Sequence, residues 1–149
     1  MNRQEQKLNE CFVATVAMLT GRPAPAVRRA MLGKELAKES WSLVSSNLST
    51  DKGKQLRKNV ERYLARHLPA LPIEAFDKAP GAVIAPALDF IGSGALAIRT
   101  RRGARHIVAY DAGQIFDPSP RTPAPMPAAE YLAWLKETEA TLETVYPIR

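Results

Sequence analysis

The feature that most constrains this chain is a change of hydrophobic period near Pro69. Upstream, apolar residues recur at helical steps of three and four. Downstream, Pro69, Pro72, Pro80 and Pro86 interrupt any helix, and short β-like runs take over. Helices followed by strands, rather than alternating with them, predict an α+β fold in which N-terminal helices pack on a C-terminal antiparallel sheet. At 149 residues the expectation is one domain, 1–149, long enough to bury a real core. Hydrophobic residues at 46% and charged residues at 24% exclude disorder of the whole chain.

Asn9 is the expected N-cap of a first helix, because its short side chain can accept from orphan backbone N–H groups. The run from Cys11 to Thr20 follows, with Gly21 as the C-cap. That run is apolar all round, so the helix is expected to be buried, with Cys11 in its first turn. Gly21 to Pro25 reads as a turn and Ala26–Glu39 as a second helix, its apolar face made by Val27, Ala30, Met31 and Leu36. Ser40 to Gly53 reads as a short helix or ordered loop. Lys54–Leu68 is the clearest amphipathic helix. Leu56, Val60, Tyr63, Leu64 and Leu68 form its stripe, and Lys54, Arg57, Lys58, Arg62 and Arg66 fill the other face.

In the second half Ala95–Thr100, His106–Tyr110 and Gln114–Asp117 read as strands. Asp111-Ala112-Gly113 forms a hairpin turn between the last two, with Gly supplying a positive φ. Pro118–Pro127, with five prolines, reads as an irregular surface segment. Ala128–Ala140 reads as a helix and Leu142–Ile148 as a last strand.

Cys11 is the only cysteine, which excludes an internal disulfide and a cysteine-based zinc site. With two histidines, no metal and no cofactor is expected. A cysteine at a helix start meets unpaired N–H groups and partial positive charge, which favour a thiolate and can serve an oxyanion. Such a nucleophile needs an imidazole. His106, at a strand start, is the better candidate, since His67 near a helix end suits a structural role beside the dipole as a protonated imidazole. The hairpin pairs Val108 with Asp117, which makes Asp117 a diagonal neighbour of His106 on one face. A slip of one residue would put it on the other.

Two segments resemble the papain-like cysteine peptidase superfamily, in particular the branch of bacteriocin leader-processing peptidases and related small phage and bacterial proteins. One is Glu10-Cys11-Phe12-Val13-Ala14 through Met18-Leu19-Thr20-Gly21-Arg22-Pro23. The other is Arg105-His106-Ile107-Val108-Ala109-Tyr110 through Ile115-Phe116-Asp117-Pro118-Ser119-Pro120. The middle, from Ser40 to Pro80, carries no such likeness. The resemblance implies a papain-like fold with Cys11 as nucleophile, His106 as general base and acid, and Asp117 as the residue orienting the imidazole. It also implies an oxyanion-donating glutamine upstream. Glu5 stands at the family's position, so Gln6 is the first choice, with Gln4 and Asn9 as alternatives. Phe12 replaces the glycine that usually follows the cysteine.

The resulting expectation is a cysteine hydrolase, a peptidase or isopeptidase, that cleaves a peptide-type amide through an acyl-thioester. Two rival readings are an inactive papain-like binding protein and a basic nucleic-acid-associated protein with a structural cysteine. The net charge of +6 supports the last. Arg99, Arg101, Arg102 and Arg105, just before His106, suit instead an acidic polypeptide substrate. The longest apolar runs, Phe12–Leu19 and Gly81–Leu88, are too short to span a bilayer, and the polar opening residues lack a signal-peptide core. A cytoplasmic protein without a membrane partner is the expectation.

Overall fold

The structure is a computed structural model that describes residues 1–5, 9–77 and 90–148. Gln6, Pro80, Pro86 and the apolar run from 81 to 88 lie outside the described residues. No described helix is long and apolar enough to cross a membrane.

Helix α1 spans Cys11–Thr20. Residues 12 to 19 are all buried, as an all-round apolar helix requires. Gly21, at φ 69°, ends it by returning its N–H to Ala17. Helix α2, Ala24–Leu32, starts before the expected Ala26 and stops well short of Glu39. Pro25 fits its first turn, and Gly33 at φ 69° turns the chain away. Leu36 is buried all the same, from beyond the helix. Between Ser40 and Gly53 the chain forms a short helix α3, Trp41–Ser45, whose Trp41 and Val44 are buried. Helix α4 spans Asp51–His67, starting before Lys54 because Thr50 caps it: its hydroxyl accepts from the Gly53 N–H at 3.0 Å. Leu56, Val60, Tyr63 and Leu64 form its buried stripe.

The second half is a five-stranded sheet, antiparallel throughout, in the order β4-β3-β2-β1-β5. The strands are β1 (Ser93–Arg99), β2 (Arg105–Asp111), β3 (Gln114–Phe116), β4 (Met126–Pro127) and β5 (Thr141–Pro147). Helix α5, Ala128–Glu137, lies between β4 and β5 and ends before the expected Ala140. The β2–β3 turn has both Ala112 and Gly113 at positive φ, the twist a two-residue hairpin favours. The fold class is therefore α+β.

Both sheet faces are covered. Ala95, Ile107, Ala109 and Phe116 pack with α1 and the other N-terminal helices. Leu96, Ile98, Val108, Tyr110 and Ile115 pack with Tyr131 and Leu135 of α5. A sheet buried on both sides explains why β1 is an unbroken apolar run rather than an alternating one.

The proline-rich segment departs from its reading as irregular surface. Thr122 and Met126 are buried, and Met126 and Pro127 pair with β3. Arg3 holds the segment, donating to the carbonyls of Asp117, Ser119 and Thr122.

Candidate active site

Cys11 is the first residue of α1, and no side chain caps that helix start. Asn9 does not act as the expected N-cap. It takes a left-handed conformation (φ 59°), which Asn tolerates, and its Nδ2 donates to Ser42 Oγ at 3.0 Å. Glu10 occupies the cap position, but its carboxylate pairs with Arg28 at 3.1 Å. The first N–H groups of α1 therefore carry their partial positive charge without a side-chain acceptor at the cap.

His106 lies near the start of β2. Its Nε2 is 2.8 Å from Asp117 Oδ1, and the ring also shares a hydrogen bond with Cys11. With Nε2 on Asp117, Nδ1 is the nitrogen left for the thiol. The register explains this placement. Ala109 pairs with Phe116, and one further step sets Asp117 opposite Val108, diagonal to His106 on the face toward α5.

Asp117 is 2% exposed, and its carboxylate has three donors: His106, the Ser119 N–H (2.8 Å) and the Tyr131 hydroxyl (2.8 Å). Burial works to raise its pKa. The hydrogen bond and charge of His106, with Ser119 and Tyr131, outweigh burial and hold the carboxylate below its ordinary value. For His106, burial works to lower the pKa, but the hydrogen bonds and charges of Asp117 and Cys11 prevail and raise it to about 10. Burial and then the neighbouring Asp117 push Tyr131 far up, so its hydroxyl stays a donor.

Thr15 fixes the spacing between cysteine and histidine. It lies one helical turn after Cys11, is fully buried, and donates to the carbonyl of Ile107, the neighbour of His106, at 3.0 Å. Thr15 and Tyr131 are the site residues that sequence reasoning missed. The one polar residue inside an otherwise apolar buried run was the available signal for Thr15.

Two clefts meet at Cys11 and His106. The larger, about 500 Å³, opens between the β1–β2 turn and α5. The smaller, about 80 Å³, is walled by Phe12, Trp41 and Phe76. Phe12 packs edge-on against Phe76, ring centroids 5.2 Å apart, with its side chain in the core. Asn9 lines both clefts. Gln4 lines neither cleft: it donates to the Arg22 carbonyl and accepts from the Ala24 N–H, just past the C-terminal end of α1. Gln6 lies outside the described residues.

His67 takes no part. It ends α4, with its ring 4.4 Å from that of Tyr63. Burial, then Arg22 and Arg66, lower its pKa, so the protonated ring suggested by the helix dipole is disfavoured. Among the described residues no group of three His, Cys, Asp or Glu side chains gathers to hold a metal ion.

Comparison with protein-family models, with curated proteins and with solved structures gives no match to this chain.

Proposed function

We propose that this protein is a cysteine hydrolase of peptide-type amides on a papain-like α+β scaffold, acting through Cys11, His106 and Asp117. The observation that carries the reading is the continuous chain of contacts from Cys11 through His106 to a buried, triply bonded Asp117. A protonated imidazole and a helix N-terminus at one sulfur favour the thiolate.

In the proposed cycle the Cys11 thiolate attacks the amide carbon and a C–S bond forms. The carbonyl oxygen becomes an oxyanion facing the N–H groups at the start of α1, with Asn9 Nδ2 as the side-chain donor. His106 gives its Nδ1 proton to the leaving nitrogen, the C–N bond breaks, and an acyl-thioester remains. His106 then takes a proton from water, whose oxygen attacks the thioester. The C–S bond breaks and the acid and the thiolate are released. Asp117 holds the ring in orientation throughout and stabilises its charged form.

The nucleic-acid reading has weaker support. Arg57 is engaged by Asp77, Arg99 by Glu143, and Arg105 by backbone carbonyls and Tyr146, so three of the basic residues counted as surface charge are already committed within the fold.

The test is the pH profile of Cys11 alkylation by iodoacetamide. An ordinary thiol with pKa about 8.5 reacts roughly tenfold more slowly for each pH unit below that value. The proposal expects a rate nearly flat from about pH 5.5 to 8, and a return to the steep profile in His106→Ala. A steep profile in the wild-type protein would overturn it.

A further inference from the structure

The structure sorts the four arginines before His106 into two kinds. Arg99 is ion-paired with Glu143 and donates to the Gly103 carbonyl. Arg105 donates to the carbonyls of Glu74 and Asp77 and to the Tyr146 hydroxyl. These two tie the β1–β2 turn to its surroundings. Arg101 and Arg102 remain at the tip of that turn, exposed, on the wall of the larger cleft. Arg101 stands 4.0 Å from Glu139, with both side chains about two-thirds exposed, a pair that water screens and a ligand can displace. Arg102 makes no hydrogen bond or ion pair among the described residues.

The turn that carries them is itself well braced. The Thr100 N–H donates to the Ala104 carbonyl at 2.8 Å, and the Gly103 N–H returns to Thr100 at 2.9 Å. Gly103 takes φ 83°, a conformation that suits glycine. Across the cleft stands the half-buried indole of Trp134, over an apolar floor of Ile98 and Leu135. The cleft therefore offers two guanidinium groups at its mouth and apolar surface within, continuous with Cys11 and His106.

Resting on the hydrolase reading above, we propose that this cleft is a substrate subsite for carboxylate-bearing polypeptide. Arg101 and Arg102 would bind the carboxylate, and Trp134 would pack on the aliphatic stem behind it. Arg99 and Arg105 would play no part in recognition. The same carboxylate chemistry is available from an acidic side chain and from a free C-terminus, and the probes below separate the two.

The probes are short N-iodoacetyl peptides that alkylate Cys11, compared with neutral iodoacetamide at about pH 6 and low salt. One pair carries Glu-Glu or Gln-Gln with an amidated C-terminus. A second pair carries Gln-Gln with a free or an amidated C-terminus. Exposed guanidinium–carboxylate contacts of this type are each worth about 1.5- to 5-fold, so the two together give roughly a tenfold preference for the acidic probe. That preference should fall toward one in Arg101→Gln/Arg102→Gln and shrink with added salt, with the Glu/Gln ratio as the readout. A preference confined to the free C-terminus assigns the carboxylate to a chain end, and one confined to Glu-Glu assigns it to side chains. Fast reaction of the wild-type protein with iodoacetamide but no charge preference would overturn the subsite and leave the hydrolase reading standing. A slow, ordinary-thiol reaction with iodoacetamide would remove both. Protection of Cys11 by a single-stranded oligonucleotide, and not by an acidic peptide, would also overturn the subsite in favour of a nucleic-acid surface.

Discussion

Replacing Asp117 by Asn removes one charge from the centre of the site while keeping its shape. The Asn oxygen can still accept from His106 Nε2 and the Ser119 N–H, and its NH₂ can donate to the Tyr131 oxygen once that hydroxyl rotates. What disappears is the counter-charge that opposes burial at His106. That opposition, shared with Cys11, lifts the imidazole from 6.5 to about 10. Breaking a buried ion pair from one side costs about 3–5 kcal/mol. The His106 side chain keeps 19% exposure, which favours the low end of that range. At about 2–4 °C per kcal/mol for a chain of this size, a loss of about 3 kcal/mol lowers Tm by roughly 6–12 °C at neutral pH and below. The pH dependence carries the stricter test. The folded pKa of His106 lies above its ordinary value, so its contribution is complete below pH 6.5 and is lost as pH rises through about 10. Thermal melts of the two proteins should therefore converge between pH 6.5 and 10. On the acid side the sign reverses. The depressed Asp117 stabilises the fold above its ordinary 3.8 and ceases to do so as pH falls through its folded value. A constant gap in Tm across the alkaline window, or an Asn variant as stable as the wild type, would refute the assignment of a charged His106–Asp117 pair.

Tyr131→Phe deletes one of the three donors to that carboxylate, and a hydrogen bond to a charged group is worth about 1.5–3 kcal/mol, so urea melts should show a loss in that range. A change below about 0.5 kcal/mol would mean that the hydroxyl is a bystander. Gly53→Ala should destabilise although Ala is the better helix former by about 1 kcal/mol, because its Cβ would stand 2.2 Å from the Asn47 carbonyl oxygen. A variant with a higher denaturation midpoint would show that the α3–α4 loop yields freely. Thr50→Ala should cost about 1 kcal/mol by removing the cap on Gly53, measurable by the same melts, and no change there would mean that water caps the helix equally well.

What the sequence made legible was decided over short spans. A continuous apolar run closed by Gly21 specifies a buried α1, and Asp111-Ala112-Gly113 between two strands specifies a hairpin. The turn leaves the register open, and the register adopted is the one that brings Asp117 to His106. Local type also misleads. Asn is as much at home in a left-handed turn as at an N-cap, and Asn9 takes the turn. Gly33, inside a helical pattern, ends α2 where the pattern alone continues it. The long-range contacts left no local mark. Arg99 and Glu143 are 44 residues apart, and Tyr131 reaches Asp117 from a helix 14 residues on, so a charge count read as surface proves partly internal.

The two halves of the site come from opposite sides of the sheet, and that division explains why neither helix layer suffices alone. The α1 layer supplies Cys11 and an uncapped helix start. The α5 layer supplies the Tyr131 hydroxyl that fixes Asp117, which in turn fixes His106. The two meet at the start of β2, where a buried hydrogen bond from Thr15 to Ile107 ties α1 to the strand that carries His106. In an apolar helix, one satisfied polar group selects one position along the strand, because any slide would bury the hydroxyl unpaired at a cost of about 1–3 kcal/mol. Apolar packing of α1 tolerates small slides, and the hydrogen bond between Cys11 and His106 does not. The position of Thr15, one turn from Cys11 and bonded next to His106, converts general burial into a specific cysteine–imidazole distance.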